Sequence, residues 1–163
     1  MQKPDNPLGI RILSLPKCRM VTSGMDTGKP FEEGGKLRKF DRWFSKVDAS
    51  KHLMPRDFLW YDPQQRGMEW WFVWEEGMDT ADFEVIDFEG GLYAAAISWD
   101  EDDVDGERVY QGVKQWIAGT GSLELDERPG HWGMFHVVTP PEVKAALGHN
   151  QLDIFVPVKI KKD

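Results

Sequence analysis

Apolar residues recur at helical spacing in two stretches of this chain. This pattern of two amphipathic helices constrains the possible folds more than any other feature of the sequence. One stretch covers residues 37–47 and the other covers residues 109–117, each with charged or polar residues between the apolar positions. The apolar positions are Leu37, Phe40, Phe44 and Val47 in the first stretch and Val109, Val113, Trp116 and Ile117 in the second. Most of the remaining chain consists of short β-type runs separated by proline and glycine. The sequence therefore predicts an α+β fold in which each amphipathic helix covers an antiparallel sheet.

The β-type runs are arranged around the two predicted helices in a repeated order. Two of the runs are interrupted, one at Pro16 and one at Gly90-Gly91, and Pro157 places the last run at an edge or a bulge. The predicted strands cover 10–24, 56–63, 68–75, 82–99, 131–138 and 151–160, with a short helical piece after Pro140-Pro141. The order strand, helix, strand, strand occurs twice. This order predicts one domain spanning 1–163, built from a module at about 9–75 and a second module at about 82–161.

Length, charge and cysteine content exclude several classes of protein. A chain of 163 residues is long enough to bury a core, and its single cysteine, Cys18, excludes an internal disulfide. The formal net charge of −8 argues against direct nucleic acid binding, which needs a basic face. We find neither a signal-peptide pattern nor an apolar span, so we expect a cytoplasmic protein without a membrane partner.

The sequence contains no convincing metal or cofactor motif. The acidic run at 99–107 fails as a calcium loop, because Gly112 occupies the position where a bidentate glutamate is required. His131 and His136 are five residues apart on one predicted strand and would point to opposite faces, which is poor geometry for zinc. Lys17 and Arg19 could lower the pKa of Cys18, but no histidine lies close to it in sequence. We therefore predict no metal, no cofactor and no catalytic cysteine.

The stretch GMEWWFVWEE at 67–76 contains three of the eight tryptophans of the chain. On a strand, Trp70, Phe72 and Trp74 share one face, and Glu69 and Trp71 share the other. We favour the first set as core or inner groove, although the alternation alone does not decide between the two faces. Eight large rings exceed what one small core usually needs, so we expect some of them to hold a flat molecule.

Four stretches together resemble the gyrase-inhibitor-like (GyrI-like) family, which includes the effector-binding domains of AraC-type and MerR-type transcription regulators. The stretches are WYDP (60–63), FEVIDFEGGLYAAA (83–96), QWIAGTG followed by ERPGHWGMFHV (115–137) and LDIFVPVK (152–159). The resemblance implies a pseudo-two-fold pair of β-α-β-β modules with two main helices and a central groove for hydrophobic, often cationic, small molecules. Fewer than ten residues precede the first predicted strand, so we expect a stand-alone member without a DNA-binding domain.

The resemblance also implies a glutamate in the penultimate strand, and this sequence has Gly133 there. An acid is retained in the last strand as Asp153, which shares a face with Phe155. Glu69 is the other acid that we expect beside the rings. The full set of candidate ligand-binding residues is Tyr61, Glu69, Trp71, Tyr93, Trp99, Trp132, Asp153 and Phe155.

These residues support three functional hypotheses. The leading one is a sensor or sequestering protein that binds flat, hydrophobic, possibly cationic molecules, as multidrug-binding proteins do. The second is a hydrolase of electrophilic, xenobiotic-like molecules in the same groove, with Glu69 as the carboxylate that activates water. The third is an interaction module that binds a regulator or a topoisomerase through an exposed apolar patch.

Overall fold

The computed structural model describes residues 5–47 and 56–162, and within them the chain has the predicted α+β composition. The helices are α1 (Lys36–Phe44), α2 (Asp103–Thr120) and α3 (Pro141–Leu147). The strands are β1 (Arg11–Leu15), β2 (Cys18–Thr22), β3 (Asp57–Asp62), β4 (Gly67–Val73), β5 (Glu84–Phe88), β6 (Gly91–Trp99), β7 (Leu123–Leu125), β8 (Met134–Val137) and β9 (Gln151–Ile160). Every strand pairing with a described register is antiparallel.

The interruptions predicted from proline and glycine are present. Pro16 lies between β1 and β2, and Gly90 lies between β5 and β6, which begins at Gly91. The φ angles of Gly90 and Gly91 are 68° and 139°, which favour glycine. Two details differ from the prediction. The three-residue strand β7 was not predicted, because so short a run carries no periodic signal. Strand β8 begins at Met134, so His131 lies before it, and the prediction that His131 and His136 share a strand is wrong.

One compact unit comprises residues 17–89 and holds a four-stranded sheet in the order β3-β4-β2-β5. Helix α1 covers one face of this sheet. Phe40 is fully buried, and its ring centroid lies 5.3 Å from that of Trp70. Phe44 packs on Phe72 at 5.5 Å. The prediction that favours Trp70, Phe72 and Trp74 as the core face is confirmed, because Phe72 is buried in this cluster and Trp70 and Trp74, which directly follows β4, pack against it.

The second compact unit comprises residues 1–16 and 90–163, where the strand order is β1-β6-β9-β8 and β7 also pairs with β9. Helix α2 follows the N-cap residue Asp102, whose side chain accepts a 2.9 Å hydrogen bond from the Asp105 amide, and precedes the C-cap residue Gly121, which has the left-handed conformation. Its apolar stripe, predicted from the sequence spacing, packs on Ala94 and Ile154 of the sheet. No side chain of α3 is buried.

The pairing partners of β1 and β5 could not be predicted from the local sequence. Strand β1 pairs with β6, with Arg11 opposite Ala95, and β5 pairs with β2, with Cys18 opposite Phe88. The predicted modules at about 9–75 and 82–161 would group β1 with β2 and β5 with β6. The internal symmetry of these two modules stays a prediction. Within the described parts of the chain, no helix has the length and apolar character needed to span a membrane.

Candidate functional site

The face of the 17–89 sheet opposite α1 carries a carboxylate next to a row of aromatic rings. Alternation along β4 places Glu69 and Trp71 on this face, and the strand register adds Trp60 and Thr22 beside them. Phe88 of β5 completes the group. We call Thr22, Trp60, Glu69, Trp71 and Phe88 the Glu69 cluster.

Two neutral donors hold the Glu69 carboxylate. The indole Nε1–H of Trp71 donates to Glu69 Oε1 at 2.8 Å, and the hydroxyl of Thr22 donates to the same oxygen in a short hydrogen bond. Glu69 is half-buried, whereas Thr22 and Trp71 are buried. Hydrogen bonds to a charged acceptor are stronger than those between neutral groups, so the carboxylate is well ordered.

The rings of the Glu69 cluster pack against one another in a continuous row. The Trp60 and Trp71 centroids are 5.4 Å apart at an angle of 53°, and the Trp71 and Phe88 centroids are 6.0 Å apart at 59°. All three rings are at most 5% exposed. A charge near such apolar surroundings interacts more strongly with an opposite charge than it would in water. The half-buried Glu69 carboxylate can therefore attract a cation next to this apolar row.

The 1–16 and 90–163 unit brings together three more of the predicted site residues, on the sheet face opposite α2. Tyr93 and Phe155 are fully buried and meet edge to face with centroids 6.4 Å apart. Asp153 is two residues from Phe155 and accepts a 2.7 Å salt bridge from Arg11. Because Arg11 already balances the charge of Asp153, Glu69 is the better candidate for meeting a cationic ligand.

Tyr61 and Trp99 lie apart from both groups of rings, and Trp132 lies outside the strands that carry them. Tyr61 is opposite Met68 in the register, so it lies on the α1 side of its sheet, and it is 47% exposed. Trp99 ends β6, is 44% exposed and meets His149 edge to face at 4.6 Å. Trp132 is half-buried in the segment before β8.

Gly133, where the family resemblance implies a glutamate, lies immediately before β8. The first residue of that strand is Met134, which stands opposite Phe155, and His136 stands opposite Asp153. Both Met134 and His136 are buried. On the sheet face that carries Phe155 of β9, strand β8 therefore presents a thioether and an imidazole rather than an acid.

A second polar network, which sequence analysis did not find, anchors the segment before β8. Asp126 is 3% exposed and accepts hydrogen bonds from Arg128 Nε at 2.8 Å and Nη2 at 2.6 Å, and these bonds lower the pKa of Asp126. His131 Nε2 lies 2.7 Å from the Gly90 carbonyl oxygen, so it donates a hydrogen bond there. Burial, and secondarily the Asp126 charge, raises the pKa of Tyr93. This network holds the segment before β8 against Gly90, the residue that precedes β6.

Cys18 does not have the character of a nucleophile. Burial raises the pKa of its thiol, and the nearby charge of Arg56 opposes that rise only in part. The expectation that Lys17 and Arg19 could lower this pKa is wrong, since the Arg19 guanidinium packs over the Trp74 ring and Lys17 pairs with Glu89.

Comparison with solved structures identifies the fold. The chain is similar to a hydrolase from Listeria innocua, with a TM-score of 0.62 and 11% sequence identity over 92% of this chain and 91% of the other. It is similar to the EcmrR C-terminal domain, with a TM-score of 0.59 and 12% identity over 92% and 96% of the two chains. It is also similar to SAV2435 bound to tetraphenylphosphonium, with a TM-score of 0.53 and 12% identity over 92% and 93%.

No protein-family model matches the sequence, and no curated protein matches it. At these identities the structural likeness establishes the fold alone. That fold extends over nearly the whole chain and agrees with the one implied by the resemblance to GyrI-like effector-binding domains.

Proposed function

We propose that this chain is a GyrI-like protein that binds flat, hydrophobic, cationic small molecules, with the Glu69 cluster as the part of its site that meets the positive charge. The observation that carries the proposal is the half-buried Glu69 carboxylate, which two neutral donors hold beside Trp60 and Trp71, at one end of the ring row that continues to Phe88. A carboxylate without a cationic partner in these bonds, set among apolar rings, is suited to an aromatic cation.

The comparisons support the same chemistry. SAV2435, a protein of similar fold, has been solved with tetraphenylphosphonium, which is itself an aromatic cation, and the EcmrR domain belongs to the same structural group. Tyr93 and Phe155, which are fully buried in the unit formed by residues 1–16 and 90–163, stay predicted ligand-binding residues. Whether the chain senses its ligand or sequesters it depends on its partners.

The experiment is a titration of intrinsic tryptophan fluorescence with tetraphenylphosphonium and with triphenylphosphine oxide, a neutral compound with similar rings. We expect saturable quenching by the cation. Glu69→Gln keeps the size of the side chain but removes the charge, so it should weaken cation binding about 10-fold to 100-fold, as the loss of a charge-assisted contact does. Binding of the neutral compound should stay within about two-fold.

Glu76→Gln is the matched control, because Glu76 is exposed and lies seven residues further along the same segment. Equal loss of affinity in both variants would show that the net charge of the protein attracts the cation, and would reject a local role for Glu69. Wild-type protein that is folded and binds neither compound would reject the proposed function.

The second candidate function is hydrolysis of an electrophilic small molecule at the same cluster, with Glu69 as the general base. The observation that favours it is the similar fold of the Listeria innocua hydrolase. The test is product formation from reactive electrophiles, with Glu69→Gln as the inactive control. Tight binding without turnover would leave binding alone as the function. The interaction with a regulator or a topoisomerase stays a prediction.

A further inference from the structure

Thr22 lies at the centre of the hydrogen bonds that orient Glu69, although it is 47 residues away in sequence. Its hydroxyl oxygen accepts a 2.9 Å hydrogen bond from the Gly24 amide and its hydroxyl hydrogen goes to Glu69 Oε1. An amide N–H can only donate, so the hydroxyl must act as acceptor towards Gly24 and its single hydrogen is left for the carboxylate. The side chain is 3% exposed, so water does not compete for this hydrogen.

The backbone that carries Thr22 is itself held firmly. The Ser23 amide donates to the Trp70 carbonyl at 2.9 Å, and the Trp70 amide donates to the Ser23 hydroxyl at 2.9 Å. Gly24 follows with a positive φ of 68°, a conformation that glycine adopts without cost. Thr22 therefore presents its hydroxyl from a fixed position on the β2 strand.

Both donors to Glu69 use the same oxygen. Thr22 and Trp71 each bond to Oε1, and neither bond involves Oε2. A carboxylate held at one oxygen by two donors loses the freedom to rotate, and its second oxygen is kept in one orientation for a ligand. An ordered side chain has less entropy to lose when a cation binds.

We propose that Thr22 is a positioning residue that sets the preference of this site for cationic over neutral ligands, by holding the Glu69 carboxylate in place. This inference rests on the proposed function. A neutral ligand gains only the contact with the rings, so it does not depend on the orientation of the carboxylate. A cationic ligand gains the charge contact as well, and it should lose part of that contact when Thr22 cannot donate.

The test compares affinities for tetraphenylphosphonium and triphenylphosphine oxide in the wild type, Thr22→Val and Thr22→Ser. Valine has the shape of threonine without the hydroxyl, and serine retains the hydroxyl. We expect Thr22→Val to weaken cation binding about 3-fold to 10-fold, which corresponds to the cost of ordering one side chain, and to leave neutral binding unchanged. Thr22→Ser should restore most of the preference.

Thr120→Val is the matched control, because the Thr120 hydroxyl, like that of Thr22, both donates and accepts: it donates to the Ile117 carbonyl at 2.8 Å and accepts from the Leu123 amide at 3.1 Å. A general loss of stability would affect this variant in the same way without changing the ratio of the two affinities. Thr22→Cys, whose thiol is a weaker donor, replaces the valine variant if that variant does not fold, and should give an intermediate ratio.

The outcomes separate this inference from the function on which it rests. Wild-type protein that binds the cation, together with a folded Thr22→Val or Thr22→Cys variant that has the wild-type ratio, would overturn the role of Thr22 and leave the proposed function standing. Wild-type protein that binds neither compound would overturn both. A reduced ratio in these variants, restored in Thr22→Ser, would establish the positioning role.

Discussion

Replacing Asp26 with alanine should destabilise the protein, because Asp26 caps a helix to which it does not belong. Helix α1 starts after Gly35, which has no side chain to bond to the first amides of the helix. Asp26 supplies that bond from outside, since its Oδ2 accepts from the Leu37 amide at 2.9 Å and its Oδ1 accepts from the Gly28 amide at 3.1 Å. Its charge is also favourable next to the helix N-terminus.

The magnitude follows from the burial of the two amides. A hydrogen bond to a charged acceptor contributes about 1.5–3 kcal/mol to stability. Leu37 is fully buried, so its amide would be left without a replacement from water, whereas the exposed Gly28 would regain solvent. We therefore expect Asp26→Ala to lower the free energy of unfolding by about 2–4 kcal/mol, which is a large part of the ~5–15 kcal/mol of a typical domain.

The assay is urea unfolding followed by tryptophan fluorescence, with Asp82→Ala as a control at an exposed aspartate. The hydrogen bond from Leu37, chiefly, lowers the pKa of Asp26. A lowered folded pKa gives stabilisation that is complete above the unfolded pKa of about 3.9 and is lost as the pH falls through the folded value. The difference between wild type and Asp26→Ala should therefore be full at neutral pH and shrink below about pH 4. A loss under about 0.5 kcal/mol at neutral pH would refute the reasoning.

Two further predictions concern packing and ionisation. Gly67→Ala should cost about 1–3 kcal/mol in urea unfolding, because the new Cβ would lie 2.6 Å from Met25 Sδ and 2.9 Å from the Asp26 carbonyl oxygen. Gly119→Ala, with no atom within 4 Å, is its control, and equal stability of the two variants would contradict the prediction. The phenol of Tyr93 should ionise above the ordinary pKa of about 10 in an ultraviolet titration compared with Tyr93→Phe, because burial raises its pKa. A Tyr93 midpoint at or below that value would contradict the cause assigned here.

The comparison of sequence with structure shows where local reasoning succeeds. Helix α2 could be predicted because the spacing of Val109, Val113 and Ile117 is a property of neighbouring residues, and all three are buried. Alternation along β4 grouped Trp70 with Phe72 in the same way, and the packing of α1 on these two rings identified their face as core. The break at Gly90-Gly91 could be read from composition, because few other residues adopt such φ angles.

The candidate site was only partly accessible to that reasoning. Glu69 and Trp71 were expected on one face because they are two residues apart, and their hydrogen bond agrees with that. Tyr61 was grouped with them because it is a ring near a strand end. Its side depends on its pairing with Met68, which no local pattern reveals. Thr22 had no signal at all, because a threonine in a strand is ordinary.

The sequence by itself determined which of the longer segments become helices and strands, because those choices depend on residues within a few positions of each other. The tertiary structure alone decided which strands pair, so that β1 joins β6 and β5 joins β2. It also decided that a hydroxyl at residue 22 reaches a carboxylate at residue 69, and that the Asp26 carboxylate caps a helix beginning ten residues later. These contacts arise when folding brings distant segments together to bury their apolar faces, and that process leaves no periodic trace in the local sequence.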